Sequence, residues 1–316
     1  MLSNGFRIVV TAGRYTKKQR LIMKIISWDD LIKGKRLFAQ GSAISIGGFD
    51  GPHRGHQRIF SSVLKAACTY DIPAGLITFF RSPRAVKAGN AYSGDVSTLD
   101  MRLQKFAGQG FSFIVLIDFS SDFAKMKGAV FFDILIKTIC IKYLAVGSDF
   151  TCGYRHDTGV GELQHLAQEK GFCFDSIEQL SSAQCGRISS SAIRQAVEQA
   201  DFTLAKDLLG YPFFLDVAKL VQRMDAFVCS IDRANIEQIL PKNGRYSARA
   251  YLQSGEVFPV QVNITESLLE VFKGKTGTVP FPARTSIRKL EFTEEGVRDG
   301  TYKRAYCIGC NKIRCK

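Results

Sequence analysis

Gly47-Gly48-Phe49-Asp50-Gly51-Pro52-His53-Arg54-Gly55-His56-Gln57 is the stretch on which the reading of this chain turns. The apolar run Ala43-Ile44-Ser45-Ile46 leads into it as a strand, and Gln57 to Leu64 leads out with helical character. Glycines let the backbone come close to a ligand. Two imidazoles three residues apart stand one above the other on a first helical turn. Free N–H groups and the helix dipole attract anions at that position. Strand, glycine-rich turn, His-x-Gly-His and helix together predict a phosphate site. The rival readings are two buried structural histidines or a chance metal pair. The metal reading is the weaker, because no third and fourth ligands lie at zinc spacing.

Outward from this turn, short apolar runs alternate with helix-like ones. Ala43–Ile46, Ala74–Phe79, Phe113–Ile117 and Tyr143–Val146 have the character of strands buried on both faces. Helical stretches fall between them at 55–70, 98–109 and 127–140. This alternation predicts an α/β fold with a doubly wound parallel sheet. Ligands of such sheets bind beyond the carboxyl ends of the strands, where the histidine turn falls. After about residue 213 the texture changes. Ser247–Tyr251, Val257–Ile264, Leu268–Phe272 and Arg284–Phe292 form strand patterns punctuated by Gly and Pro, and predict a small β-barrel domain.

With 316 residues and 46% hydrophobic content, the chain can bury a large core and divide into two domains. No apolar run reaches membrane-spanning length and the N-terminus lacks a signal-peptide pattern, so no membrane partner is expected. Nine cysteines, odd in number and scattered, suit reduced thiols and a cytoplasmic setting. Cys307, Cys310 and Cys315 cluster in the tail at 305–316 without a full set of zinc ligands. The net charge of +14 raises the question of nucleic acid. The Lys and Arg residues are spread along the chain, with no dense basic run and no aromatic-glycine RNA motif. A nucleic-acid partner is therefore not expected, and a positive field also suits an enzyme that holds phosphorylated substrates.

The string GGFDGPHRGHQ resembles the bacterial FAD synthetases, bifunctional riboflavin kinase/FMN adenylyltransferases of the HIGH-type nucleotidyltransferase superfamily. Further stretches carry the same resemblance. Val146-Gly147-Ser148-Asp149-Phe150-Thr151-Cys152-Gly153 is similar to VGxDFxFG, with Cys152 replacing the second aromatic. Ile188-Ser189-Ser190-Ser191-Ala192-Ile193-Arg194 is similar to ISSTxxR, with Ser191 in place of Thr. Thr78-Phe79-Phe80-Arg81-Ser82-Pro83-Arg84 lies where the family has TFxPHPR, with Arg81 and Ser82 departing from it. Leu209 to Phe213 resembles LGRPY. Met23 to Asp30 resembles the family's opening. Residues 1–22 are accordingly read as an extension, either a start-codon artefact with Met23 the true start or a disordered arm. The resemblance implies a Rossmann-like nucleotidyltransferase domain over 23–212 and a riboflavin kinase-type barrel over 213–304.

It also implies the reaction ATP + FMN → FAD + diphosphate. On this reading Gly48, Phe49, Asp50, His53, His56, Ser190, Ser191 and Arg194 hold ATP. Thr78, Phe79, Pro83, Asp149 and Phe150 lie on the flavin side. His53, His56, Asp149, Ser190 and Arg194 are the catalytic set, and Mg2+ is held chiefly by the phosphates with help from Asp149. The barrel departs from its family. No Pro-Thr dipeptide stands where PTAN is expected; Ile231-Asp232-Arg233-Ala234-Asn235 takes its place. An arginine presents only donors and cannot ligate magnesium as a hydroxyl does. Kinase activity is therefore expected to be lost, with Glu266 or Glu270 as the counterpart of the kinase's catalytic acid. Three other readings stay open: a bifunctional kinase and adenylyltransferase, a nucleotidyltransferase for another phosphorylated acceptor, and a non-catalytic flavin- or nucleic-acid-binding protein.

Overall fold

The computed structural model describes residues 7–10, 21–34, 36–83, 92–182, 186–274, 279–282 and 285–293. Arg84 of the flavin-side loop, Arg284 at the head of the strand read from it, and the cysteine tail lie outside the described residues. The chain forms two compact units. One comprises 1–92 and 99–179, the other 93–98 and 180–316.

The first unit is built on a seven-stranded sheet. Its strands are β1 (Arg7–Val10), β2 (Leu21–Ser27), β3 (Ser42–Ile46), β4 (Ala74–Phe79), β5 (Phe113–Ile117), β6 (Ile141–Gly147) and, after a short ribbon of β7 (Thr151–Cys152) with β8 (Thr158–Gly159), β9 (Cys173–Ile177). The order is β1-β2-β5-β4-β3-β6-β9, parallel throughout except for β1 at the edge. The helices are α1 (Trp28–Lys33), α2 (Arg54–Tyr70), α3 (Leu99–Gln109), α4 (Ser121–Ala124), α5 (Gly128–Ile139) and α6 (Val160–Lys170). Alternate strand residues feed two separate cores. Ile44, Ile77, Val115 and Leu144 pack with Phe132 and Leu135 of α5. Ala43, Leu76, Ile114 and Tyr143 pack with Phe60 and Val63 of α2 and Phe106 of α3. Helices thus cover both faces, and the strands are apolar on both sides because neither face meets water. The doubly wound sheet expected from the sequence is present.

Two things differ from the sequence reading at its margins. Within the stretch taken for an extension, Arg7–Val10 pairs antiparallel with β2, and β2 itself begins at Leu21. The sheet also gains β2 and β9 beyond the four strands read. Strand β9, Cys-Phe-Asp-Ser-Ile, is half exposed at an edge and lacks the continuous apolar pattern of the inner strands.

The second unit centres on an antiparallel seven-stranded sheet of barrel type. Beside a short ribbon of β10 (Ser181–Ser182) with β11 (Gly186–Arg187), it contains helices α7 (Ser190–Glu198) and α8 (Phe202–Leu209). The strands are β12 (Phe214–Asp216), β13 (Gln222–Met224), β14 (Val228–Asp232), β15 (Gly244–Leu252), β16 (Val257–Ile264), β17 (Leu268–Lys273) and β18 (Ile287–Phe292), in the order β12-β18-β15-β16-β17-β14-β13. Both helices share this sheet's core: Ile193, Val197 and Phe202 pack with Tyr246, Leu290 and Phe292. The Phe202 and Phe292 rings stack at 5.0 Å. Residues 93–98 join the same unit through Asp95, which bridges to Gln238, and through the buried Gln238 side chain.

Candidate active site

Strand β3 lies between β4 on one side and β6 on the other. The chain leaves β3 toward β4 and β5, then returns across to β6. The carboxyl ends of β3 and β6 therefore flank the point where strand order reverses, the usual ligand crevice of an open α/β sheet. Gly47–His53 follows β3, and Ser148-Asp149-Phe150 follows β6.

The turn after β3 holds an unusual backbone. Phe49 has φ 45°, left-handed for a non-glycine residue, and Gly51 follows at φ 57°. Strained conformations of this kind persist only where surrounding packing enforces them. The Phe49 ring is buried edge-on against His56, Phe60 and Phe106. That ring lies over Gly47, where a Cβ would approach it to 2.8 Å, so the first glycine is required by packing. Gly48 faces open space. Asp50 is buried in the same turn.

His53 is the N-cap of α2, and its Nδ1 accepts the backbone N–H of His56 at 3.3 Å. This satisfies one of the orphan donors of the helix start. It also sets the tautomer, because an accepting Nδ1 leaves the proton of the neutral ring on Nε2. The two imidazoles stack with centroids 3.6 Å apart and planes 18° from parallel. Burial holds the His56 pKa well below the ordinary histidine value, and the neighbouring His53 lowers it further. His56 is thus a neutral imidazole at neutral pH. Its residue surface is half-buried, yet its Nδ1 is fully enclosed with no hydrogen-bond partner. An enclosed, unsatisfied ring nitrogen costs about 1–3 kcal/mol and calls for an explanation.

Asp149 is exposed at the end of β6, with Phe150 half-buried beside it. The Phe150 N–H donates to the Gly147 carbonyl at 2.9 Å, closing a tight turn. The Asp149 carboxylate folds back over Gly147, where an added Cβ would meet its Oδ1 at 3.1 Å. Cys152 stands in the ribbon that follows. Burial, with Asp157 nearby, pushes its thiol up to about 12, which keeps it protonated.

On the β4 side, Thr78 is fully buried, and its hydroxyl donates to the Gly48 carbonyl at 3.1 Å. The Phe79 ring packs edge-on against Phe119 and Phe123, and Pro83 is half-buried. The sequence reading missed Arg102 of α3. It is 2% exposed and donates to the Gly48, Phe79 and Phe80 carbonyls. A lone arginine in an otherwise amphipathic helix gives no local signal of such a position.

Gly48, Phe49, His53, His56, Thr78 and Arg102 are brought together in the first unit, with Asp149 just beyond β6, the strand next to β3. Ser190, Ser191 and Arg194 belong to the second unit. The cap of α7 is Ser189, whose hydroxyl accepts the Ala192 N–H at 3.2 Å. Ser190 and Ser191 occupy the first turn. Arg194 is buried, and its Nε donates to the Gly94 carbonyl at 2.8 Å.

Known proteins share this arrangement of sequence. Residues 35–192, half of the chain, match the model of the FAD synthetase family. The chain belongs to the FAD synthetase family. A bifunctional riboflavin kinase/FMN adenylyltransferase of Haemophilus influenzae is 28% identical over 69% of this chain and 72% of its own length. The protein of that description from Escherichia coli K12 is 31% identical over 55% of this chain, and the match spans 56% of the relative. In fold, the chain is similar to a Streptococcus pneumoniae protein described as a macrolide-efflux protein. The TM-score is 0.70 at 22% identity, covering 85% of this chain and 89% of that one.

In this member of the FAD synthetase family, Arg233 opens a short 3-10 turn after β14, and the Asp232 side chain caps the turn by accepting the Ala234 N–H at 2.9 Å. The Arg233 Nη1 donates to Asn243 Oδ1 at 2.5 Å and to the Thr265 carbonyl at 2.6 Å. Asn243 in turn donates to Glu266 at 2.5 Å. Glu270 is held separately by Asn263 at 2.9 Å. Of the two acids singled out in the sequence, Glu266 therefore lies in the Arg233 network and Glu270 outside it.

Proposed function

We propose that this protein is an FMN adenylyltransferase, forming FAD and diphosphate from ATP and FMN, and that its second unit does not phosphorylate riboflavin. The observation that carries the first part is the stacked His53–His56 pair at the start of α2. It stands at the strand-order reversal of a parallel sheet, in a chain of the FAD synthetase family.

The FMN phosphate is already an anionic nucleophile, so the reaction needs alignment and charge stabilisation more than a strong base. One phosphate oxygen bonds to the α-phosphorus of ATP, the bond from that phosphorus to the bridging oxygen breaks, and diphosphate leaves with the electron pair. A neutral His56 and the Nε2–H of His53 supply hydrogen-bond donors to ATP phosphates, and the N-terminus of α2 adds its dipole. Gly48 and Phe49 bring backbone close to the nucleotide, beside the buried Asp50. Asp149 offers an exposed carboxylate, which suits Mg2+, an ion typically held by one or two carboxylates plus substrate phosphates. When bound, that ion neutralises phosphate charge. Thr78, Phe79, Pro83 and Phe150 are assigned to the flavin side. Ser190, Ser191 and Arg194 enter the proposal through the family's sequence pattern, as ligands of the β- and γ-phosphates. No helix among the described residues is long and apolar enough to cross a membrane.

The Arg233 network supports the second part. Its guanidinium stands where the kinase pattern has a hydroxyl, and it carries no lone pair for a cation. Incubation with ATP, Mg2+ and either FMN or riboflavin, followed by chromatography, tests both parts. FAD from FMN alone is the expected result. FMN appearing from riboflavin at a rate comparable to FAD formation overturns the loss of kinase, and no product from either substrate overturns the adenylyltransferase reading. Replacing His56 by Ala should cut turnover about a hundredfold or more, the scale of losing one transition-state donor.

A further inference from the structure

We infer that Arg102 is a positioning residue for adenylyl transfer, locking the nucleotide turn after β3 to the acceptor-side backbone after β4. The inference rests on the adenylyltransferase reading above. The Arg102 Nη1 donates to the Gly48 carbonyl at 3.1 Å and to the Thr78 hydroxyl at 3.4 Å. Its Nη2 donates to the Phe79 and Phe80 carbonyls, both at 3.2 Å. One guanidinium therefore reaches acceptors in the turn after β3 and at the carboxyl end of β4, its parallel neighbour.

The Gly48 carbonyl is the centre of this arrangement, since it accepts from both Thr78 and Arg102. Two donors on one carbonyl oxygen use both of its lone pairs and fix the plane of the Gly48–Phe49 peptide. In a trans peptide the C=O and the next N–H point in opposite directions. Holding the Gly48 oxygen toward the guanidinium thus turns the Phe49 N–H away from it. Among the described residues no backbone acceptor takes that N–H. The left-handed Phe49 backbone and the ring that supports His56 follow directly on the locked peptide. Arg102 accordingly sets the direction of a free backbone donor and the height of His56 together.

The planar fork matters here. Two nitrogens serve four acceptors at fixed angles, whereas a lysine ammonium is a compact point charge on a flexible stem. The residue reaches no reacting atom, so its effect should fall on alignment, where a misplacement of about 1 Å costs roughly a hundredfold in rate.

The test uses the full chain with Arg102→Lys and Arg102→Met, each checked for folding by circular dichroism and assayed for FAD formation from FMN. Expected is a fall in kcat per folded molecule of about tenfold or more for Arg102→Lys, and larger for Arg102→Met, with KM for ATP and FMN little changed. A lower melting temperature with kcat per folded molecule unchanged would mean a merely structural arginine and would overturn the inference. If Arg102→Met fails to fold, Arg102→Lys decides alone, since it retains the buried charge and most of the volume. Should the unsubstituted protein form no FAD, the adenylyltransferase reading fails first and independently of Arg102.

Discussion

His53 caps the helix that carries His56: its Nδ1 accepts the His56 backbone N–H at 3.3 Å while the two rings stack 3.6 Å apart. One histidine thus does two jobs, closing a helix start and building the face on which the second imidazole rests. The two jobs separate by mutation.

His53→Asn keeps a good helix cap, and His53→Ala removes it. The alanine variant should be less stable than the asparagine variant by about 1 kcal/mol in urea unfolding, the usual worth of a cap. Both should lose FAD synthesis to a similar extent, because neither restores the ring. Recovery of activity in His53→Asn would show that the cap alone matters.

The depressed pKa of His56 sets a direction for pH dependence. Its folded pKa lies below the unfolded value, so the unfolded chain binds the proton more readily. The stability associated with His56 is full above its unfolded pKa of about 6.5 and falls as the pH drops through the folded value. Urea midpoints should therefore decline on acidification below about pH 6.5, and His56→Gln should decline less steeply. Equal slopes in the two proteins would contradict the burial argument.

Gly75 of β4 sits opposite Phe113 of β5, and the Phe113 ring fills the space a Cβ would take. The backbone there is ordinary strand, so the effect of substitution is steric. Gly75→Ala should destabilise the first unit by about 1–3 kcal/mol, the range for overpacking a dense core. Pairing it with Phe113→Leu should recover part of the loss in thermal unfolding.

Gln238 ties residues 93–98 into the second unit. Its Nε2 donates to the Val96 carbonyl at 3.0 Å and the Phe214 carbonyl at 2.9 Å, while its Oε1 accepts the Asp216 N–H at 2.7 Å. Gln238→Leu removes these three hydrogen bonds from a buried site, at a cost of about 1–3 kcal/mol or more. Hydrogen exchange should quicken at Asp216. Unchanged protection there would count against the role of Gln238.

Much of this molecule is legible locally. Strands β4 and β5 coincide with the apolar runs read for them, because a strand buried on both faces needs an unbroken apolar stretch; β16 coincides with its run through alternation instead, with Val260, Val262 and Ile264 buried. The edge strand β9 was missed for the same reason inverted, since a half-exposed strand carries mixed residues. The placement of α7 and α8 was also hidden. Their core-facing residues announce a buried helix face but not which sheet covers it, and Phe202 finds its partner in Phe292 far along the chain.

The histidine turn, the strand–helix alternation and the loss of the kinase's hydroxyl at Arg233 are properties of short spacing and residue chemistry, and they could be read from the chain unfolded on the page. What needed three dimensions is whatever depends on burial or on contacts between distant segments. His56 becomes neutral because packing removes water from its ring. Arg102 becomes a clamp because α3 delivers it to a carbonyl 54 residues away. Residues 93–98 leave the unit of their sequence neighbours because the 237–239 backbone, Gln238 and Arg194 offer them hydrogen bonds. Each of these depends on desolvation or on geometry between residues that no local pattern connects.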